Sequence, residues 1–360
     1  MFRYMNFIVW STTLNLASRL LASVSLAALL PLAISVQAAP LPEVKIFATG
    51  GTISGGSASK VDTTKYKDGQ FNVDALIDAL PELKDIAKVS GEQVVNVSSE
   101  DVDVPTLLKL SASINTSLAD SAIAGAVVTH GTDTLEETAF FLDLTVNSSK
   151  PVVVVGSMRP ATAVSADGPM NLLEAVSLAS SAQAKDRGVL VALNDRIGSA
   201  AYTTKTNSTT VDTFKAIEQG YLGMFIGVQP KFYYPAVRPL HQPHFDVSKA
   251  QSLPKVVIMY GHQDQDDLFV RTAIANGVKG IVMDGTGNGD VPKRAMDAVK
   301  EAIAKGIPVI MASRTGSGLV SEKEVGIGSG FYNAQKARIL LMLALNQGDS
   351  MDKIRSYFEN

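Results

Sequence analysis

Short apolar runs alternate along this chain with longer stretches in which apolar residues recur every three or four positions. The first clear run, Val44 to Ala48, leads into Gly50-Gly51-Thr52 and then Gly55-Gly56. Such a run predicts a buried strand. Glycines directly behind it let the backbone turn sharply and approach a ligand closely. Gln93 to Val97, Ala124 to Thr129, Pro151 to Val155, Gly188 to Leu193 and Gly223 to Val228 read as further strands. The unbroken valines from 152 to 155 suit a parallel sheet covered on both faces. Helices are expected over Phe71–Leu80, from Asp103 or Val104 to about Leu118, from Thr134 to about Val146, and over Met170–Ser181. Thr134-Leu135-Glu136-Glu137 has the pattern of a capping box. Ser57 to Gln70 is polar and aperiodic, and is expected to be a flexible loop carrying Tyr66.

From Tyr233 to Lys255 the chain is punctuated by Pro235, Pro239, Pro243 and Pro254, which reads as an interdomain linker. A second alternation follows. Strands are expected at Val256–Tyr260, Gly280–Met283 and Ile307–Ala312, and helices at about Asp267–Asn276, Pro292–Lys305 and Asn333–Leu345. Strand–helix alternation in both parts predicts an α/β protein of two domains with mainly parallel sheets. The larger N-terminal domain is placed at 39–235, the linker at 236–254 and the smaller C-terminal domain at 255–360.

The first residues change the picture. Arg3 and Arg19 are the only charges before Glu43, and Leu20 to Ile34 is almost wholly apolar. Val36-Gln37-Ala38, followed by Ala39-Pro40, has the small-residue pattern of a cleavage site. A secretory signal peptide over 1–38 is therefore expected, cleaved after Ala38 or Ala39, with Met5 an alternative start. The apolar core, broken by Pro31, is short for the roughly 20 residues of a membrane anchor. The leader holds the one tryptophan, Trp10, and its loss would leave a chain of formal charge −3 more acidic still. No Lys/Arg stripe offers a footprint for nucleic acid. The chain has no cysteine, so an exported form must rely on packing or oligomerisation rather than disulfides. Thiol nucleophiles and thiolate metal sites are excluded. Among the histidines, His241 and His244 flank Pro243, an unpromising metal pair. Asn96, Asn115, Asn147 and Asn207 begin glycosylation sequons, which matter only in a glycosylating host.

Two strand ends repeat one arrangement: Thr49-Gly50-Gly51-Thr52 and His130-Gly131-Thr132-Asp133. A hydroxyl can attack a carbonyl if a base removes its proton, and backbone N–H groups of a glycine turn can hold the resulting oxyanion. Asp133 is placed to hold an ammonium group. Taken singly, a threonine in such a place more often satisfies a turn or caps a helix than it reacts. Gly285-Thr286-Gly287-Asn288-Gly289 is a third glycine turn behind a strand, but it fits neither a P-loop nor a dinucleotide fingerprint.

Longer stretches are more specific. Ala48 to Ile53, His130-Gly131-Thr132-Asp133-Thr134-Leu135-Glu136-Glu137-Thr138, Val154 to Pro160, Ser165-Ala166-Asp167-Gly168-Pro169 and Gln335-Lys336-Ala337-Arg338 stand in order along the chain. On these residues it resembles the secreted (type II) bacterial-type L-asparaginases and the related glutaminase-asparaginases, from about Val44 to the C-terminus. The resemblance implies hydrolysis of the asparagine side-chain amide, with Thr52 as nucleophile and Tyr66 as its loop partner. It makes Thr132, Lys205 and Asp133 a second catalytic set, with Ser99, Glu100 and Asp133 binding the substrate's charged ends. Gly51 and Thr132 become the oxyanion donors. Glu100 stands where many relatives have glutamine, and Asp290 where asparagine or serine is common, at a position that reaches a neighbouring subunit's site. The glutamate near the tyrosine is taken as Glu324, with Glu322 the alternative. No metal or organic cofactor is implied, and a homotetramer with sites at the dimer interface is expected. Tyrosine and lysine ordinarily titrate near about 10 and 10.4, so the base that takes the proton of Thr52 stays open. Asparagine against glutamine preference, a bacterial or fungal host, and a non-catalytic amino-acid binder using the Asp133, Ser99 and Glu100 cage are also left open.

Overall fold

The computed structural model of the protein describes residues 40–239 and 242–359. The expected leader, its cleavage site and His241 lie outside those residues. The N-terminal apolar runs form strands β1 (Glu43–Gly50), β2 (Lys88–Val97), β3 (Ile123–Thr129), β4 (Val152–Val155) and β5 (Val189–Leu193). Helices α1 (Val73–Asp78), α2 (Val104–Ala119), α3 (Leu135–Thr145) and α4 (Gly168–Ser180) come between them. Short strands follow: β6 (Arg196–Ser199), β7 (Thr204–Lys205), β8 (Phe214–Lys215), β9 (Gly223–Ile226) and β10 (Gln229–Phe232). The eight-stranded sheet runs β10-β9-β6-β5-β4-β3-β1-β2. Its β2 to β5 portion is parallel, and an antiparallel extension closes it.

The period-2 alternation of a strand sends successive side chains to opposite faces. Phe47, Val128, Val152 and Val154 pack on one side. Ile46, Ala48, Val127, Val153 and Val155 pack on the other, with residues of α1 and α4. In the C-terminal domain the parallel strands β11 (Val256–Tyr260), β12 (Gly280–Gly285), β13 (Val309–Ser313) and β14 (Ile327–Gly328) lie in sequence order. Helices α5 (Leu268–Ala275) and α6 (Lys293–Ala304) supply one face of that sheet. The other face joins α7 (Ala334–Gln347), α8 (Met351–Ser356) and α3 in the same core as the N-terminal sheet. A helix covered from two sides has no polar stripe; accordingly α3 is buried at ten of its eleven residues, Glu136 and Asp143 included.

Two expectations are corrected, and the interdomain segment gains a detail. Ser57–Gln70 is pinned rather than loose. A bridge pairs Gly56 with Lys67, Val164 N–H donates to Lys60 O at 3.0 Å, and Ser57 N–H donates to Thr162 Oγ1 at 2.9 Å. The Thr134 hydroxyl makes no cap bond; it donates to Ser99 O at 2.7 Å instead. The proline-punctuated segment is packed, because Phe245 and Val247 enter the shared core and Phe245 N–H donates to Leu144 O.

Candidate active site

The strand order β2-β1-β3-β4 reverses direction between β1 and β3. Connections leaving these strands must then go to opposite faces of the sheet, and a crevice opens at their carboxyl ends. Thr52 follows β1 and Thr132 follows β3, so topology alone brings both threonines to that crevice. Local chemistry closes it. The Thr49 hydroxyl donates to Thr129 O at 3.0 Å, tying the two strand ends together. Gly51 has φ +78°, and a Cβ there would lie 2.1 Å from Gly131 Cα. A Cβ on Gly131 would in turn lie 2.8 Å from Ser99 Cβ. The turns behind β1, β2 and β3 thus converge, and only glycine fits where they touch.

Thr52 begins a 3-10 turn, Thr52–Ser54, and is 5% exposed. Its Oγ1 lies 2.7 Å from the Tyr66 hydroxyl. Burial pushes the Tyr66 phenol above its ordinary value; the Thr52 hydrogen bond opposes this, while Asp68, Asp133 and Glu100 add to it. At neutral pH the phenol therefore keeps its proton. Thr132, also 5% exposed, accepts a hydrogen bond from Lys205 Nζ at 2.9 Å. The same Nζ donates to Asp133 Oδ1 at 2.5 Å. Asp133 is otherwise open to solvent, its side chain 69% exposed. Ser99 is buried and Glu100 exposed beside this set. Thr52, Tyr66, Thr132, Asp133, Lys205, Ser99 and Glu100 are therefore gathered in one place.

One expected role does not survive the geometry. Gly51 N–H already donates to Val97 O at 2.9 Å, because β1 keeps pairing with β2 through Gly50. Among the described residues the backbone N–H groups of Thr52 and Thr132 have no such partner and are free to donate. Two residues stand apart within one chain. Asp290 pairs with Lys323 Nζ at 3.1 Å. Glu324, expected beside Tyr66, lines a cleft with Lys300, Met351 and Arg355 instead; Glu322 lies near Arg355 as well.

His130, directly before Gly131, is fully buried, with its ring between Gly131 O at 2.7 Å and the Thr138 hydroxyl at 2.9 Å. Burial lowers its pKa to about 4, so it is a neutral structural group. Sequence reasoning gave no role to Glu136 and Lys336, which form an ion pair at 2.9 Å, each about 5% exposed or less. Burial alone would raise the Glu136 carboxyl, but the Lys336 charge and bonds from Lys336, Asn333 and Thr204 outweigh it and hold the group below its ordinary value. The signal was present: Lys336 precedes Leu340 by four residues on the apolar face of α7, where a lone charge needs a partner.

Comparison with known proteins agrees. Residues 43–238 match the family model "Asparaginase, N-terminal", and residues 255–358 match "Glutaminase/Asparaginase C-terminal domain". The chain belongs to the asparaginase family. It is 50% identical over 326 residues to L-asparaginase 2 of Bacillus subtilis, covering 88% of this chain and 86% of that protein. A probable periplasmic L-asparaginase of Haemophilus influenzae is 42% identical over 349 residues, with 94% and 99% covered. A crystal structure of a probable cytoplasmic L-asparaginase from Campylobacter jejuni superposes with a TM-score of 0.85 at 42% identity, covering 88% of this chain and 99% of that one. Asparaginases are amidohydrolases.

Proposed function

We propose that this asparaginase-family chain hydrolyses the side-chain amide of L-asparagine to L-aspartate and ammonia through a covalent ester on Thr52. The observation that carries the reading is the meeting of the Thr52–Tyr66 pair and the Thr132–Lys205–Asp133 set at the β1/β3 crevice. Thr52 Oγ1 attacks the amide carbon and gives up its proton, the C–N bond breaks, and nitrogen leaves as ammonia after gaining that proton. Water then cleaves the ester to release aspartate. The free N–H groups of Thr52 and Thr132 receive the oxyanion of each tetrahedral intermediate. Asp133 and Glu100 hold the substrate ammonium, and Ser99 its carboxylate. Burial is the main cause that keeps Tyr66 protonated and its acidic neighbours add to it; the arriving ammonium offsets the second part, which favours proton transfer through Tyr66 when substrate is bound.

Asp290 and Glu324 do not reach this cluster within one chain, which favours a homotetramer in which a neighbouring subunit supplies them. Sedimentation showing a fully active monomer would sink that part. The leader pattern, with a relative named periplasmic, supports export to the periplasm or medium. We further propose the domain limits at 235 and 255. Substantial glutamine cleavage is the second reading, and the carboxylate of Asp290, at a position where the family commonly has asparagine or serine, is a change that bears on the preference between the two amides. The deciding experiment measures ammonia release from asparagine and glutamine, with and without chelator. Thr52→Ala is expected to lose about 10³-fold in kcat or more, with an unchanged melting curve. Normal ammonia release by the folded variant would refute the nucleophile, and none from the parent protein would leave only an amino-acid binder.

A further inference from the structure

Lys205 is held from two sides. Its ammonium faces Thr132 and Asp133, while its backbone is gripped by a buried cluster on the far side of β7. Glu136 Oε1 accepts from the Thr204 hydroxyl at 2.7 Å and from Lys205 N–H at 3.3 Å. Its Oε2 accepts from Lys336 Nζ at 2.9 Å and Asn333 Nδ2 at 2.8 Å. Lys336 Nζ also donates to Thr203 O at 2.8 Å. Three consecutive residues, Thr203 to Lys205, are thereby fixed by one ion pair.

The members of the cluster come from distant parts of the chain. Glu136 lies in the first turn of α3, three residues after Asp133, so it moves with the Thr132–Asp133 turn. Lys336 lies in the first turn of α7, and Asn333 is that helix's N-cap, its Oδ1 accepting from Lys336 N–H. A buried ion pair adds little net stability over a well-packed apolar pair, but it tolerates few geometries. Alignment to a fraction of an ångström is where such a constraint matters, since a displacement of about 1 Å can cost about 100-fold in rate.

We propose that the Glu136–Lys336 pair is a positioning device that sets the Lys205 ammonium against Thr132 and makes this alignment depend on docking of the C-terminal domain through α7. The inference rests on the reading that Lys205 acts in the reaction. Neither residue touches substrate; both act through β7.

The test compares Lys336→Met, Glu136→Gln, Glu136→Ala and Thr204→Val with Lys205→Met as reference, reading kcat and KM for asparagine per folded molecule and the melting temperature. Lys336→Met is expected to lower kcat by about 10- to 100-fold with KM changed by less than about threefold. Glu136→Gln, which keeps an acceptor for Thr204 and Lys205, is expected to retain about tenfold more activity than Glu136→Ala. Thr204→Val removes one hydroxyl at a part-exposed site, so it should fold normally and still lose several-fold in kcat. It decides the matter together with Glu136→Gln if the larger changes fail to fold. Wild-type kcat in folded Thr204→Val and Lys336→Met, with Lys205→Met inactive, would reduce the pair to a structural contact and overturn the proposal alone. A fully active Lys205→Met would overturn both the role of Lys205 and the inference built on it.

Discussion

Two glycine turns in this molecule look alike in sequence and behave oppositely. Ala48-Thr49-Gly50-Gly51-Thr52 ends β1, and Gly285-Thr286-Gly287-Asn288-Gly289 ends β12. The second closes on itself and on the end of β13: Thr286 and Asp290 exchange backbone N–H···O bonds at 2.8 Å, and the Ser313 hydroxyl donates to Gly287 O. The first is left open to another turn. The difference lies in strand order rather than in residues. The C-terminal sheet runs β11-β12-β13-β14 without reversal, so the turn behind β12 has no opposed partner. The N-terminal sheet reverses between β1 and β3, and the turn behind β1 meets its counterpart across a crevice. A strand-end threonine becomes a candidate nucleophile only where topology supplies the second half.

The most damaging way to test that comparison is to wedge the two halves apart. Gly51→Ala adds a Cβ that would lie 2.1 Å from Gly131 Cα, at φ +78°. Backbone meets backbone there, so no flexible side chain can yield. Kcat is expected to fall by about 100-fold or more, with a loss of about 2–4 kcal/mol in stability by urea unfolding. A Gly51→Ala protein with near-normal turnover would mean that the threonine turns need not touch, and the two-sided site would fall with it.

Most of this was legible because it is local or combinatorial. The strands that carry both threonines are short apolar runs with glycines behind them, and helices α2, α4, α6 and α7 fall within two residues of their expected limits. What sequence could not give is directional. Nothing in the residues around Gly51 says that its N–H is consumed by Val97 O, since that depends on how far β2 continues beside β1. The capping-box pattern at Thr134 was outbid by an acceptor, Ser99 O, thirty-five residues away. Asp290 and Glu324 lie in loops away from the threonine cluster, and no pattern around them in the sequence says so. Glu136 and Lys336 are 200 residues apart, and only the packing of α7 on α3 makes them partners.

Two histidines extend the comparison to pH. His130 follows β3 and His262 follows β11, and each ring Nδ1 contacts the carbonyl of the next residue, at 2.7 and 2.8 Å. His130 is sealed beneath the crevice, whereas His262 is exposed. In the unfolded chain an imidazole takes a proton near pH 6.5, but burial holds His130 back to about 4. Between these values the unfolded chain binds more protons, so stability rises with pH. The contribution is complete above pH 6.5 and is lost as pH falls through about 4. Its size is on the order of 3 kcal/mol. Melting temperature followed from pH 7 to pH 4 should drop less steeply in His130→Gln than in the parent. Equal slopes in the two would show that the seal over His130 is not maintained in solution.

The smallest effect belongs to the self-closed turn. Gly287 has φ +51°, and a Cβ there would meet nothing within 4 Å. Gly287→Ala therefore carries only the intrinsic strain of a left-handed alanine, about 1 kcal/mol, or a melting temperature lower by roughly 2 °C in a chain of this length. Asparagine tolerates this region better, so Gly287→Asn should recover part of the loss. The pair isolates backbone preference from contact: Gly51 and Gly287 share a positive φ, and only Gly51 has a neighbour. If Gly287→Ala cost as much stability as Gly51→Ala, conformational preference would account for both glycines, and the meeting of two turns would no longer explain why the first is glycine.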